Sequence, residues 1–204
     1  SVTGFETIRF DQVEGSDFDA SGVTGVTAYE FLETAHNGGT FSLNHLRSTE
    51  TVRIDIDDRG GHNLASDVAF EFATSAATVG SKLNLEFFDT NAANPGTDVA
   101  FATNGIDVRG FQTLELKLGG GAGTVENYTF DLGFQDSEGL VVGDVGFDFA
   151  KVAAKTLVLT GGQATATNLG DSAALGTLSS TLTLVDLSGY KGAVTAALAE
   201  PFVA

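Results

Sequence analysis

The chain has 204 residues, 42% of them hydrophobic, which is enough apolar material for one large or two small folded domains and excludes a disordered chain. Its 27 acidic and 10 basic residues give a formal net charge of −17, which argues against nucleic acid or an anionic membrane as a partner because both would repel it. No apolar run approaches the roughly 18 residues of a membrane span, and we expect no membrane insertion.

Alternating apolar and polar residues predict β-strands with one buried and one solvated face along most of the chain. In chain order, the clearest such segments are 52–57, 68–72, 83–87, 114–118, 130–132 and 147–149. Gly-rich stretches at 38–39, 60–61, 119–121 and 161–162 separate the strands and predict tight turns. Helix-forming residues favour a short helix only at 149–158 and 192–198. The predicted fold class is therefore all-β.

Internal repeats indicate how these strands are organised. The segment 2–10 returns at 108–116, Asp-x-Ser-Gly-x-x-Gly begins at both Asp19 and Asp186, and Thr-Leu-x-Leu begins at Thr113, Thr156 and Thr181. Because the intervals are irregular, we expect stacked coils with insertions. The predicted architecture is β-solenoid-like, resembling a parallel β-helix or β-roll, with a β-sandwich as the alternative. Residues 1–204 would form a single elongated repeat region, the alternative being two sub-units divided near residue 105.

Aspartates gather at the predicted turns and suggest calcium sites. Neighbouring carboxylates repel one another unless a cation neutralises them, and Ca²⁺ prefers such oxygen ligands. The alternative is that these residues cap the turns or face solvent. The predicted metal ligands are Asp17, Asp19, Asp55, Asp57, Asp58, Asp144, Asp148 and Asp186.

Two short motifs resemble those of known secreted proteins. Gly4-Phe5-Glu6-Thr7 and Asp186-Leu187-Ser188-Gly189 resemble segments of bacterial surface-layer proteins and of RTX-like calcium-binding proteins, which are also acidic, rich in Gly and Thr, and free of Cys. The resemblance implies solenoid or sandwich folds, calcium at the corners, type I secretion, and lattice assembly with copies of itself on the bacterial cell surface. The regular RTX nonapeptide is incomplete, because Val125 stands where an Asp is required.

The expected function is structural rather than enzymatic, and no catalytic residue is predicted. One alternative is an adhesin domain that binds glycans, and cell-surface polysaccharide is a further expected partner. A second alternative is a polysaccharide-active β-helix enzyme with paired carboxylates. The absence of Met, at position 1 as elsewhere, predicts a processed product or an internal fragment.

Overall fold

The structure is a computed structural model that describes residues 2–10, 16–31, 40–55, 69–74, 80–88, 99–100, 106–118, 127–129, 155–162, 172–178 and 182–198. In chain order, the first strands are β1 (Val2–Thr3), β2 (Thr7–Phe10), β3 (Asp17–Asp19), β4 (Val23–Thr24), β5 (Ala28–Phe31), β6 (Thr40–Leu46), β7 (Thr51–Asp55), β8 (Ala69–Thr74) and β9 (Lys82–Phe88). They are followed by β10 (Val99–Ala100), β11 (Ile106–Arg109), β12 (Thr113–Leu118), β13 (Asn127–Thr129), β14 (Thr156–Gly161), β15 (Ser172–Leu178), β16 (Leu184–Tyr190) and β17 (Ala193–Leu198). A 3-10 turn spans Ala20–Gly22.

The all-β prediction is confirmed, because the described residues are mostly strands, with almost no helix. Alternation along β9 and β12 buries one side of each strand, as the sequence predicts. The helical prediction at 192–198 is wrong, since Ala193–Leu198 forms β17 and pairs with β15. The prediction at 149–158 is wrong for its last three residues, which belong to β14, while 149–154 lie outside the described residues. In both places pairing with a neighbouring strand outweighs a weak helical preference.

Every strand pairing among the described residues is parallel. The largest sheet has seven strands in the order β2-β5-β7-β9-β12-β14-β16, so its spatial order is also its order along the chain. Two four-stranded sheets, β3-β6-β8-β11 and β10-β13-β15-β17, are formed by strands that alternate with these along the chain. The large sheet continues across residue 105, because β9 pairs directly with β12.

The core of the N-terminal part lies between the seven-stranded sheet and the sheet containing β3, β6 and β8. Phe10 and Phe31 of the large sheet stack with ring centroids 4.9 Å apart. Phe41 of β6 contacts both rings, at 5.1 and 5.2 Å. Phe18 of β3 packs edge-on against Phe10 at 5.3 Å. These aromatic side chains supply large buried area in geometries that ring electrostatics favour.

A repeated backbone arrangement brings the chain into the strands of the large sheet. The carbonyl of Glu6 accepts hydrogen bonds from the amides of Thr27 and Ala28, at 2.8 and 3.1 Å. The carbonyls of Ser81, Gln112 and Lys155 each accept the corresponding pair of amides at the start of the next strand of the sheet. Gly4 and Gly110, at φ 87° and 82°, lie two residues before Glu6 and Gln112. This left-handed conformation favours glycine, so the repeated Gly-Phe motif marks equivalent turns.

Candidate functional site

The polar face of the seven-stranded sheet holds a row of charged residues of alternating sign. Glu30 lies between the buried Tyr29 and Phe31 and therefore points to the face opposite the core. The register of the sheet places one residue of each neighbouring strand level with it. Across β2, β5, β7, β9 and β12, this charged row consists of Arg9, Glu30, Arg53, Glu86 and Lys117.

Ion pairs join each member of the charged row to the next. Arg9 Nε lies 2.7 Å from Glu30 Oε2, and Arg53 Nη1 is hydrogen-bonded to Glu30 Oε1. Arg53 Nε also lies 3.1 Å from Glu86 Oε2, and Lys117 Nζ lies 2.8 Å from Glu86 Oε1. Each glutamate is thus held between two cations from flanking strands. The row links strands whose paired residues are 21 to 33 positions apart in sequence.

Burial strengthens the middle of this row. The Glu30 side chain is 5% exposed and that of Arg53 is 30% exposed, whereas the Arg9 side chain at the end is 65% exposed. The Arg53 guanidinium also lies over the Phe88 ring, 4.3 Å from its centroid, in a cation–π contact. Removing the Glu30 carboxylate from water is costly, and the ion pairs with Arg9 and Arg53 offset that cost.

Each of the five strands has a charged residue between two apolar ones, as in Ile8-Arg9-Phe10 and Tyr29-Glu30-Phe31. Across these five strands the sign of the charge alternates, and opposite charges that lie side by side stabilise neighbouring strands. In chain order the alternation is interrupted by acidic triplets of the same form, for example Phe70-Glu71-Phe72, so it becomes visible only once the strand order of the sheet is known. Arg53 pairs with both Glu30 and Glu86, and so joins the two glutamates of the row.

The repeated Asp-x-Ser motif makes the same side-chain hydrogen bond at both of its positions. Asp19 Oδ1 accepts a hydrogen bond from the Ser21 amide at 2.8 Å, and Asp186 Oδ1 accepts one from the Ser188 amide at 2.9 Å. Asp19 Oδ1 also lies 2.8 Å from Nδ1 of His45, whose φ of 62° is the one positive value of a non-Gly residue in the described ranges. Asp19 thereby caps the 3-10 turn Ala20–Gly22, whereas Asp186 makes its hydrogen bond within β16.

Hydrogen bonding favours the ionised form of both turn aspartates. The backbone and side-chain hydrogen bonds from Ser21, followed by the contact with His45, lower the pKa of Asp19 below its ordinary value of 3.8. Hydrogen bonds from the Ser188 side chain and backbone lower the pKa of Asp186 in the same direction. Both carboxylates therefore contribute most to the turns at neutral pH.

Four of the eight predicted metal ligands lie in the described part of the chain. Asp17 and Asp19 share the exposed side of β3, level with Ser42 and Asn44 of β6. Asp55 ends β7 in a different sheet, and Asp186 lies on β16. Among the described residues no three His, Cys, Asp or Glu side chains converge on a common metal position. Outside the described residues lie Asp57, Asp58, Asp144 and Asp148.

A second group of polar contacts holds the turn before β7. The buried carboxylate of Glu50 accepts hydrogen bonds from the backbone amide and Nη1 of Arg47, both at 2.7 Å. Arg47 Nη2 donates to the Val23 carbonyl at 2.6 Å and so ties this turn to β4. Tyr29 lies close by, and burial, followed by the Glu50 charge, raises the pKa of its phenol to about 12. This arrangement stabilises a corner of the fold.

No family model, curated protein or solved structure matches the chain in the three comparisons. Within the described ranges, no helix is long and apolar enough to span a membrane.

Proposed function

We propose that this chain is a structural module of an extracellular bacterial surface layer, built as a β-solenoid and assembling with copies of itself. The identity of chain order and spatial order in the seven-stranded sheet supports the solenoid. A chain that adds one parallel strand to the same sheet at each coil, and visits another sheet between, follows a solenoid path. Each coil then buries its apolar side against its neighbours and depends on them for stability.

The charged row is the observation on which the structural role depends. Its members neutralise one another across five strands, and they do so on the broad face of the sheet rather than in a cleft. Residues used in this way hold consecutive coils together. A continuous ladder of ion pairs and backbone hydrogen bonds gives an elongated, stiff element, which is what a protein layer requires of its building block.

Calcium is part of the proposal. A formal net charge of −17 opposes both folding and association, and bound divalent cations would reduce that repulsion. Asp17 and Asp19, level with Ser42 and Asn44, offer oxygen donors of the kind that Ca²⁺ prefers. Cation binding to the folded form would stabilise it by mass action.

The test is to follow assembly and thermal unfolding of the purified chain with Ca²⁺, with Mg²⁺ and with excess chelator. We expect light scattering and electron microscopy to find assemblies larger than a monomer in Ca²⁺, and chelation to lower the melting temperature. A chain that is monomeric at every concentration would contradict the structural role. Assembly and melting that are unchanged in chelator would contradict the calcium part alone.

A further inference from the structure

The two ends of the seven-stranded sheet are complementary edges. Within the described residues, β2 and β16 each pair on one side only. An edge strand offers unpaired backbone donors and acceptors to another strand. Because all strands of this sheet run in the same direction, the open edge of β16 in one copy can pair in parallel with the open edge of β2 in the next.

Exposed apolar side chains concentrate at these two edges. The large hydrophobic side chains that are exposed in the described ranges are Phe5 (59%), just before β2, and Leu184 (54%) and Leu187 in β16. Phe111 occupies the same place in the repeated Gly-Phe turn as Phe5 and is 0% exposed. Phe111 is followed by β12 in the interior of the sheet, whereas Phe5 is followed by the edge strand. Phe5 therefore has the character of a core side chain that a further strand beside β2 would cover.

The register of the sheet predicts which residues would meet if a second copy continued it. One row of level positions runs through Thr7, Ala28, Thr51, Asn84, Glu115, Val158 and Asp186. A copy added in the same register places its Thr7 level with Asp186. Since Phe5 and Leu184 each lie two residues before these positions, the two exposed apolar side chains fall side by side.

The charges at the two edges match in the same register. Arg9, at the open end of the charged row, lies two residues after Thr7 and would be diagonal to Asp186. The chain already contains a pair with this offset: Lys82 is level with Thr113, and its Nζ lies 2.8 Å from the carboxylate of Glu115, two residues further on. Arginine can span the same diagonal.

We propose that copies of this chain stack head to tail, with β16 of one copy pairing in parallel with β2 of the next. The partner is a second copy of the chain, because one register satisfies both the apolar and the charge contacts. This proposal rests on the assembling role proposed above and specifies its geometry. The interface joins two different surfaces, and each added copy continues the same stack of strands, so repeated addition produces filaments.

The experiment is disulfide cross-linking, which is unambiguous because the natural chain has no Cys. Phe5→Cys and Leu184→Cys are prepared as separate variants, mixed and mildly oxidised at physiological salt. Both positions are exposed, so the substitutions should leave folding intact, which melting curves check. We expect the mixed heterodimer as the principal product. The double variant should give a ladder of covalent multimers, because its two cysteines lie about 29 Å apart within one copy and cannot bridge each other.

A matched control replaces Leu184→Cys by Thr156→Cys, which is level with residue 184 but lies on the interior strand β14. This control should not cross-link to Phe5→Cys of another copy. Homodimers as the principal product of the mixture would overturn head-to-tail stacking. So would the absence of cross-links in a sample that still assembles, an outcome that leaves the proposed structural function standing. A chain that is monomeric throughout would overturn both proposals.

Discussion

Replacing Glu30 by Gln tests whether the charged row holds the strands of the large sheet together. The substitution keeps the shape of the side chain but removes the charge shared by Arg9 and Arg53. A hydrogen bond to a charged group contributes roughly 1.5–3 kcal/mol when it is sheltered from water, and about 0.2–1 kcal/mol when it is exposed. The bond to Arg9 belongs to the exposed class and the bond to Arg53 to the sheltered one. We therefore expect Glu30→Gln to lower the free energy of unfolding by about 2 kcal/mol.

The assay is urea unfolding followed by circular dichroism, with thermal melting as a second measurement. A loss of about 2 kcal/mol corresponds to a melting temperature lower by roughly 4–8 °C for a chain of this size. The matched control is Glu115→Gln, because the Glu115 side chain is 32% exposed and has one ion-pair partner among the described residues, Lys82. This variant should lose at most about 1 kcal/mol. Equal midpoint shifts for the two variants would refute the reasoning, since burial between two cations would then have no effect.

Three further predictions concern single positions. In Asp19→Asn, the melting temperature should fall less steeply below about pH 4 than in the natural chain. The pKa of Asp19 is lowered in the folded chain, so its carboxylate stabilises the fold at pH values above its ordinary pKa, and this stabilisation is lost as the pH falls. Tyr29→Phe should raise the free energy of unfolding by about 1 kcal/mol, since the buried Tyr29 hydroxyl has no hydrogen-bond partner among the described residues. A lowered urea midpoint would contradict this. In the same assay, Gly161→Ala should lower the free energy of unfolding far more than Gly4→Ala. Both glycines have a positive φ, but only at Gly161 would an added Cβ collide with the Leu118 carbonyl. Equal losses would contradict this packing.

Strand positions and their buried sides could be predicted from sequence alone. Leu83, Leu85 and Phe87 alternate with polar residues, and the structure buries these three. A strand with one buried and one solvated face gives this period-two signal, whichever strand it pairs with. Thr113 and Thr156, two starts of the Thr-Leu-x-Leu repeat, are level neighbours in adjacent strands. The third start, Thr181, lies outside the described residues, and Leu184 pairs with Thr156 instead.

The partners of the charged residues could not be predicted in the same way. Glu30 meets Arg9 and Arg53, which are 21 and 23 positions away, whereas Arg53 meets Glu86 at 33. These separations depend on insertions between strands, which leave no periodic trace in one sequence. Phe5 and Phe111 illustrate a second limit, because the same motif leaves Phe5 exposed before the edge strand β2 and buries Phe111 before the interior strand β12. Burial there depends on the neighbouring strands and not on the local residues.

The parallel register of the large sheet is the central claim, and a disulfide tests it most directly. Level positions on neighbouring strands are about 4.8 Å apart and suit a disulfide, whereas positions offset by two residues are about 8 Å apart and do not. We predict that the double variant Thr113→Cys/Thr156→Cys forms an internal disulfide on mild oxidation and that Thr113→Cys/Val158→Cys does not. Cross-linking of the offset pair in preference to the level pair would contradict the parallel stack.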